Sequence, residues 1–472
     1  MADAASVFDG LVAARPPVDT HIAFDTACVL GGSVAGLMAA RVLSDHARQV
    51  VIVERDELPF ASVPRPGTPQ DQYLHSLLPA CLIWLDGWLP GFSDEARGLG
   101  AVSGEGFVSV DGLLKPPLKN TSALLLGTRP FLEGRIRARV LALPNVTVLR
   151  GLARGIRCEQ GAVTGVTYAE GQGAGTVRTL AADFVVDAMG RPSRMAEWVS
   201  AEGFDKPPLE RLVLPINYSA ARFARDERSE DLDLAIGLSV YTPQHVVDGV
   251  SAAAVNAVED DQWQVLLGGY GEDRPGSTLD AFRATAAKLH PLYGRATSGA
   301  VTRDVMTFRH SDSRRRDFTG LSDYPARLVS TGDAVASFNP IYGQGMSAAA
   351  LHASALSAYL LSGPDPSAAA TDFFELQKVV TDAVWTTSAG PDAARLDAIN
   401  QATVSEEVRR ARWVGEQIQR ASMVDADIDI ETRRVAYLLK HPSTLADPEL
   451  LERAMAVNAD AASPPGPGVA GG

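Results

Sequence analysis

Apolar and polar positions change their period several times along the chain, and each change marks an element. Cys28 to Leu30 is a short apolar run suited to a strand buried on both faces. Gly31-Gly32-Ser33 follows, then a helical stretch from Val34 and a second apolar run that closes on Glu54. Strand, glycine turn, helix and acid-terminated strand together form a cradle for a dinucleotide. Farther on, Arg211–Tyr218, Ala235–Thr242, Ala252–Val258 and Trp263–Tyr270 are strand-like runs, rich in Val, Ile, Leu and Tyr and punctuated by polar, Gly or Pro positions. The Ala-rich stretch from Ala348 to Leu361 contains His352 and several serines, so it reads as a buried helix rather than a membrane span. Beyond about Thr371 helical spacing dominates, with Phe373, Phe374, Leu376 and Val379 placed to share a face.

This interleaving predicts an α/β chain, α+β overall. A Rossmann-like cofactor domain is built from the discontinuous segments 25–95, 125–205 and 301–365. Segments 96–124 and 206–300 supply an inserted, mainly antiparallel β-sheet substrate domain. Residues 366–458 read as a helical region and 459–472 as a disordered tail, given the Pro/Gly-rich end. Residues 1–24, with the Pro16-Pro17 pair, read as a partly ordered arm.

Composition narrows the partners. With 472 residues, 46% apolar and 21% charged, the chain has material for two to four domains with large cores. A formal charge of −14 argues against a nucleic-acid partner, and Arg314-Arg315-Arg316 reads as a solvated face. Asp3 and Asp9 precede any basic residue and no long apolar segment follows, so no secretory signal or membrane span is expected. Cys28, Cys81 and Cys158 are too few for a disulfide framework and lack metal-ligand spacing; reduced thiols, a cytoplasmic location and no metal are expected.

The cradle has a residue-by-residue rationale. Gly31 makes the tight turn, Gly36 lets the helix lie against the strand, and the first helical amides point toward a pyrophosphate. Glu54 can accept hydrogen bonds from both ribose hydroxyls, which favours an unphosphorylated adenosine ribose. Ser33 stands where the usual fingerprint has its second glycine and narrows the backbone's approach slightly. A second stretch, Asp183 to Arg194, runs an apolar strand into Asp187-Ala-Met-Gly190-Arg191, a sharp turn that can hold backbone near a cofactor or simply contain a satisfied Asp. A third delivers Gly332-Asp333 at the end of a strand, then Pro340, Gly343, Gly345 and Met346 before the Ala-rich helix. Asp333 can accept from a polyol hydroxyl, Gly343 and Gly345 allow backbone to pass beneath a flat ring, and the helix presents its positive end to the ring's carbonyl edge.

Together these stretches resemble the flavoprotein monooxygenases of the p-hydroxybenzoate hydroxylase fold, which include aromatic hydroxylases, polyether olefin epoxidases, halogenases and isoprenoid reductases. The resemblance is nearest to bacterial secondary-metabolism epoxidases and hydroxylases, and it implies FAD rather than NAD alone. By this resemblance Gly31, Gly32, Ser33, Gly36, Glu54 and Arg55 hold the ADP half. Asp187 and Gly190, with Ser193 and Arg194, match the Asp-Gly fingerprint. Gly332, Asp333, Gly343 and Gln344 hold the ribityl chain and ring. Two more segments look like the same branch: Pro64 to His75, which brings Arg65 and His75 near the flavin, and Thr128 to Arg135, in which Arg129 contacts the ADP half. For Arg129 a surface ion pair with Glu133 is an equal alternative; for His75 proximity to the flavin is preferred over a satisfied, partly buried histidine.

The function implied is transfer of one oxygen atom of O2, from a flavin C4a-hydroperoxide, to a small hydrophobic natural-product intermediate, as in antibiotic biosynthesis. Pro340, Gly345 and Met346 would carry the catalytic geometry, the Gly345 and Met346 amides stabilising the N1–C2=O anion. NAD(P)H or a partner flavin reductase would supply electrons; no second glycine-rich cradle chooses between them. Ala336 and Ser337 stand where aromatic hydroxylases often carry a histidine, and the Trp-x-Trp-x-Ile-Pro signature of tryptophan halogenases is absent. No base is identifiable, which favours alkene epoxidation over phenol hydroxylation. A flavin-dependent reductase of isoprenoid double bonds and a non-catalytic FAD-binding protein remain alternatives. Asn217, Tyr218, Trp263 and Tyr270 are candidates for the substrate pocket, with ordinary packing the competing reading of each. Arg309 and His310 would face the cavity or pair with Asp312 or Asp317.

Overall fold

The structure is a computed structural model and describes residues 3–59, 62–117, 124–171, 175–225 and 234–462. The cofactor cradle opens a seven-stranded sheet whose order across the sheet is Leu328–Ser330, Phe184–Asp187, Phe24–Leu30, Ala47–Glu54, Val146–Glu159, Ala162–Glu170 and Val177–Ala181. The first five strands are parallel and the last two are added by antiparallel pairings. Cys28, Val29 and Leu30 are wholly buried, as an apolar strand at the centre of a parallel sheet must be. Helices Val34–Leu43, Pro79–Trp88 and Gly345–Leu361 pack together beside this sheet. The last of them is buried nearly all round, His352 included, and no described helix is long and apolar enough to cross a membrane.

A second seven-stranded sheet runs Val301–His310, Ile216–Ala224, Gln262–Tyr270, Ala252–Val258, Leu234–Val240, Glu105–Val110, Leu113–Leu114. Its pairings are antiparallel except that of Leu234–Val240 with Glu105–Val110. One face is covered by helices Leu279–Ala286 and Pro291–Ala296, with Phe223, Trp263, Phe282 and Tyr293 in the core between. The opposite face carries Ile216, Tyr218, Ala220 and Leu266.

Three sequence boundaries move. The run Arg211–Tyr218 is two strands, Leu209–Leu212 and Ile216–Ala224, in different sheets; Pro215 between them has no amide to donate to a ladder. Strand Val301–His310 pairs with Ile216–Ala224, so the chain leaves the second sheet only after His310, beyond the 300/301 boundary. The N-terminal arm contains a helix, Ala4–Ala13, capped by Asp3 and docked through Phe8 and Leu11. At the other end helix Pro448–Ala462 enters the segment read as a tail, and residues 463–472 lie outside the described residues. Helix Thr371–Asn400 buries Phe373 and Phe374 fully but sets Leu376 and Val379 on its flank.

Candidate functional site

Three chain segments far apart in sequence border one cavity of about 2960 Å³ between the two sheets and the C-terminal helices. Gly31, Ser33 and Glu54 line it, as do Met189, Gly190 and Arg191, and Gly332, Asp333 and residues 337–346.

The glycine turn is built by close approach. A Cβ on Gly31, whose φ is +106°, would lie 2.5 Å from the Ala188 carbonyl oxygen, and one on Gly36 would lie 1.9 Å from the Gly31 oxygen. Strand, turn and helix can meet there only without side chains. Gly32 donates its amide to Glu54 Oε2 at 2.7 Å, and Asp56 donates to Oε1 at 3.0 Å. Gly32 and Gly36 therefore shape the wall from behind, whereas Glu54 and the half-exposed Arg55 border the cavity itself.

Ser33 has an ionic role that its place in the fingerprint did not suggest. Its hydroxyl donates to Glu133 Oε2 at 2.8 Å and accepts from Arg129 Nη2 at 3.0 Å. Glu133 is buried and is met by Arg65 at 2.7 Å, Arg137 at 2.8 Å and Arg129 at 3.0 Å. Burial alone would raise its pKa, but the charges of Arg129, Arg65 and Arg137 bring it down to about 2. The Arg129–Glu133 pair is thus real but buried, not superficial, and both Arg129 and Arg65 line the cavity. His75 also lines it; its Nδ1 lies 2.8 Å from the Tyr73 carbonyl, and burial pushes its pKa down to about 3, so the ring is neutral.

Asp187 stands behind the wall. Its carboxylate accepts from the Met189 amide at 3.1 Å and the Ser193 hydroxyl at 2.6 Å, which fixes the turn into Gly190; burial lifts its pKa to about 6. Gly190 lines the cavity with φ +70°. Gly332 takes φ +59°, and a Cβ there would meet the Ala35 Cβ at 2.6 Å. Its amide donates to Nδ1 of the buried His352 at 3.2 Å. Asp333 opens onto the hollow; enclosure by protein on its other sides raises its pKa against the charges of Arg129 and Arg191.

After Asp333 the chain passes Pro340 and turns at Gly343, φ +67°, into helix Gly345–Leu361. A Cβ at Gly343 or Gly345 would meet nothing within 4 Å, so both positions leave room where a flat ring would lie. Gln344 is held by the Ala436 carbonyl at 3.0 Å and the Thr387 hydroxyl at 3.1 Å, which places the helix's first amides, Gly345 and Met346 among them, at the cavity. A glycine turn at a helix start, two arginines, the Asp333 carboxylate and open glycines before a second helix N-terminus are groups of the kind that FAD requires.

Of the four substrate candidates, Tyr218 and Tyr270 line the cavity, and Asn217 and Trp263 do not. Neighbours on a strand point to opposite faces. Asn217 donates to the Gly271 and Asp273 carbonyls at 3.0 and 2.9 Å, and Trp263 is buried on the helix-covered face. Arg309 and His310 line the cavity; Arg309 lies 4.0 Å from Glu272, and Arg191, Arg211 and Arg314 occupy Asp312. The Arg314–Arg316 run is likewise spent on protein partners, Arg315 on Glu210 and Asp382 at 2.6 and 2.8 Å.

Tyr218 and Tyr270 join a polar cluster at the same space whose other members, Asn339, Tyr342 and Asp392, the sequence did not single out. Asp392 Oδ1 accepts from Tyr270 at 2.9 Å and Tyr342 at 3.0 Å, and Oδ2 accepts from Asn339 Nδ2 at 2.9 Å. Tyr218 donates to Asn339 Oδ1 at 2.8 Å. Asp392 is 2% exposed, and burial raises its pKa. The only local signal was Pro391 inside a helical stretch, followed by an acid.

No protein-family model matches the chain. It is 34% identical over 348 residues to Protein Rv3254 of Mycobacterium tuberculosis, a match covering 70% of this chain and 71% of that protein. Among solved structures it is similar to the flavin-dependent brominase Bmp2, with TM-score 0.62, 16% identity and coverage of 94% of this chain and 100% of that one. It is also similar to p-nitrophenol 4-monooxygenase PnpA from Pseudomonas putida DLL-E4, with TM-score 0.59, 18% identity and coverage of 90% and 100%. The chain belongs to the same family as Protein Rv3254 and has the fold of the FAD-dependent monooxygenases of the p-hydroxybenzoate hydroxylase type.

Proposed function

We propose that this protein is an FAD-dependent monooxygenase that places one oxygen atom of O2 on a hydrophobic small molecule held between the second sheet and the Gly343–Met346 edge. One observation supports the reading: Glu54, Asp333 and the open glycines Gly343 and Gly345, from three distant chain segments, border a single cavity. Bound and reduced, FAD supplies two-electron activation of O2. The chain's own part is to hold and shield. Arg129 and Arg65 set positive charge at the phosphate end, Asp333 accepts from the polyol, and the amides of Gly345 and Met346 stabilise negative charge at the ring's carbonyl edge. NAD(P)H or a partner flavin reductase is the electron source.

Alkene epoxidation, as a step of secondary metabolism, needs no protein base, and nothing at the site opposes it. A second reading, hydroxylation of a phenol or enol, gains support from Asp392, since a buried carboxylate beside two tyrosine hydroxyls can take a proton from an acidic substrate hydroxyl. The test is oxygen uptake by FAD-loaded protein, with NAD(P)H or with chemically reduced flavin, in the presence of alkene or phenol panels. Uptake coupled to an oxygenated product supports the proposal. Flavin reduction with substrate reduced and no oxygen consumed would replace it with the double-bond reductase.

A further inference from the structure

The cavity is larger than a dinucleotide site needs. Pockets for single small ligands span roughly 300–1,000 Å³, and this one is about 2960 Å³. Much of its lining comes from the second sheet. Tyr218, Gly268, Ala252 and Val240 stand side by side across neighbouring strands, and Phe308 flanks Tyr218 on the next. One register step away Leu266, Ala254, Leu238 and Val108 form a parallel row. Five strands at the usual spacing give an apolar floor about 19 Å wide. The Tyr218 ring covers Gly268, and Ala252 and Ala254 beside it make a trough in the floor.

Helix Glu406–Ala421 lines the same cavity. Val408, Ala411 and Gly415 recur at helical spacing and line the cavity beside Glu407, Arg410 and Arg412; Val408 is 38% exposed and Ala411 and Gly415 are exposed outright, whereas Ile418 is buried against helices Ala426–Ala436 and Pro448–Ala462. An apolar helix stripe that faces a hollow rather than protein needs a partner to bury it. At one end of the trough the polarity changes abruptly to Tyr270, Tyr342 and Asp392, beside the turn at Gly343.

We propose that the substrate is an elongated amphiphile: a hydroxyl-bearing ring or enol end seated at Asp392, Tyr270 and Tyr342, and a long apolar body laid across the floor and along helix Glu406–Ala421. This rests on the oxygenase reading and adds the substrate class to it. The polar end is thereby held beside the Gly343–Met346 edge, and the body fixes which carbon reaches it.

The probes are para-methyl-, para-butyl- and para-octylphenol, titrated calorimetrically into FAD-loaded protein. Each buried methylene tightens binding by about fourfold, so a steep gain from methyl to octyl is expected. Ala254→Trp, or Ala254→Leu should the larger side chain impair folding, fills the trough and should remove at least about tenfold of the octyl gain while leaving the methyl compound's affinity unchanged. Equal affinity along the series, or the same gain in the filled variant, overturns the proposal. Flavin absorbance on every sample separates the two layers: wild-type protein that takes up no FAD defeats the oxygenase reading, whereas FAD-loaded protein with a flat series defeats only this one.

Discussion

The hydroxyl of Ser33 donates to Glu133 Oε2 at 2.8 Å across 100 residues of chain. The glycine turn of the cofactor cradle is thereby tied to a buried carboxylate that three guanidiniums share. Replacing Ser33 by Gly restores the usual fingerprint but removes this tie. The expected result is a loss of about 1 kcal/mol of stability with FAD still bound, read from urea denaturation and flavin absorbance.

Glu133→Gln should cost far more, about 3–5 kcal/mol, because it leaves buried arginines without their counter-charge. The pH dependence has a defined sign. The folded-state pKa of about 2 lies below the ordinary value of 4.5, so the stabilisation from Glu133 is complete above 4.5 and is lost as pH falls through about 2. The stability gap between wild type and variant should be full at neutral pH and should close in acid; a gap independent of pH would refute this role.

Asp333→Ala removes an exposed carboxylate that lines the cavity. FAD affinity should fall about 10- to 100-fold, the worth of a charge-assisted hydrogen bond. Equilibrium dialysis against FAD measures it, and wild-type retention would remove Asp333 from the site.

At Gly343 the backbone has φ +67°, and an added side chain meets only the hollow. Gly343→Val combines a conformation hostile to β-branched residues with bulk in the ring's space. Circular dichroism should show a folded protein, and dialysis should show FAD binding abolished.

Asp392→Asn separates the two oxygenation chemistries. If the carboxylate takes a substrate proton, turnover of a phenol falls by about 100-fold or more and the acid limb of its pH profile disappears. Turnover of an alkene substrate stays near wild type, since epoxidation calls on no base. Unchanged phenol turnover would return the cluster to a purely packing role.

What the sequence revealed follows from how local each feature is. Gly31 and Gly36 act within one strand-turn-helix unit and Gly332 and Gly343 within another, so their spacing announced the cradle and the ring-side loop. Face assignment on the second sheet was not local. Trp263 and Tyr270 lie on one strand with opposite parity, and only the helices packed over Trp263 decide which of them meets the cavity. Asp392 joins Asn339 and Tyr270 from 53 and 122 residues away, a convergence no window of sequence contains. Glu133 was visible as the partner of Arg129, but its burial beneath Arg65 and Arg137 depends on how the loop after Glu54 folds back.

The most direct measurement is the FAD content and FAD affinity of the purified full chain, by flavin absorbance and intact-mass spectrometry, beside Gly31→Val. One FAD per wild-type chain, bound or readily taken up, and none in the folded variant is the expected outcome. A folded wild-type protein that neither carries FAD nor binds it when supplied would contradict the central claim that these three segments enclose a flavin.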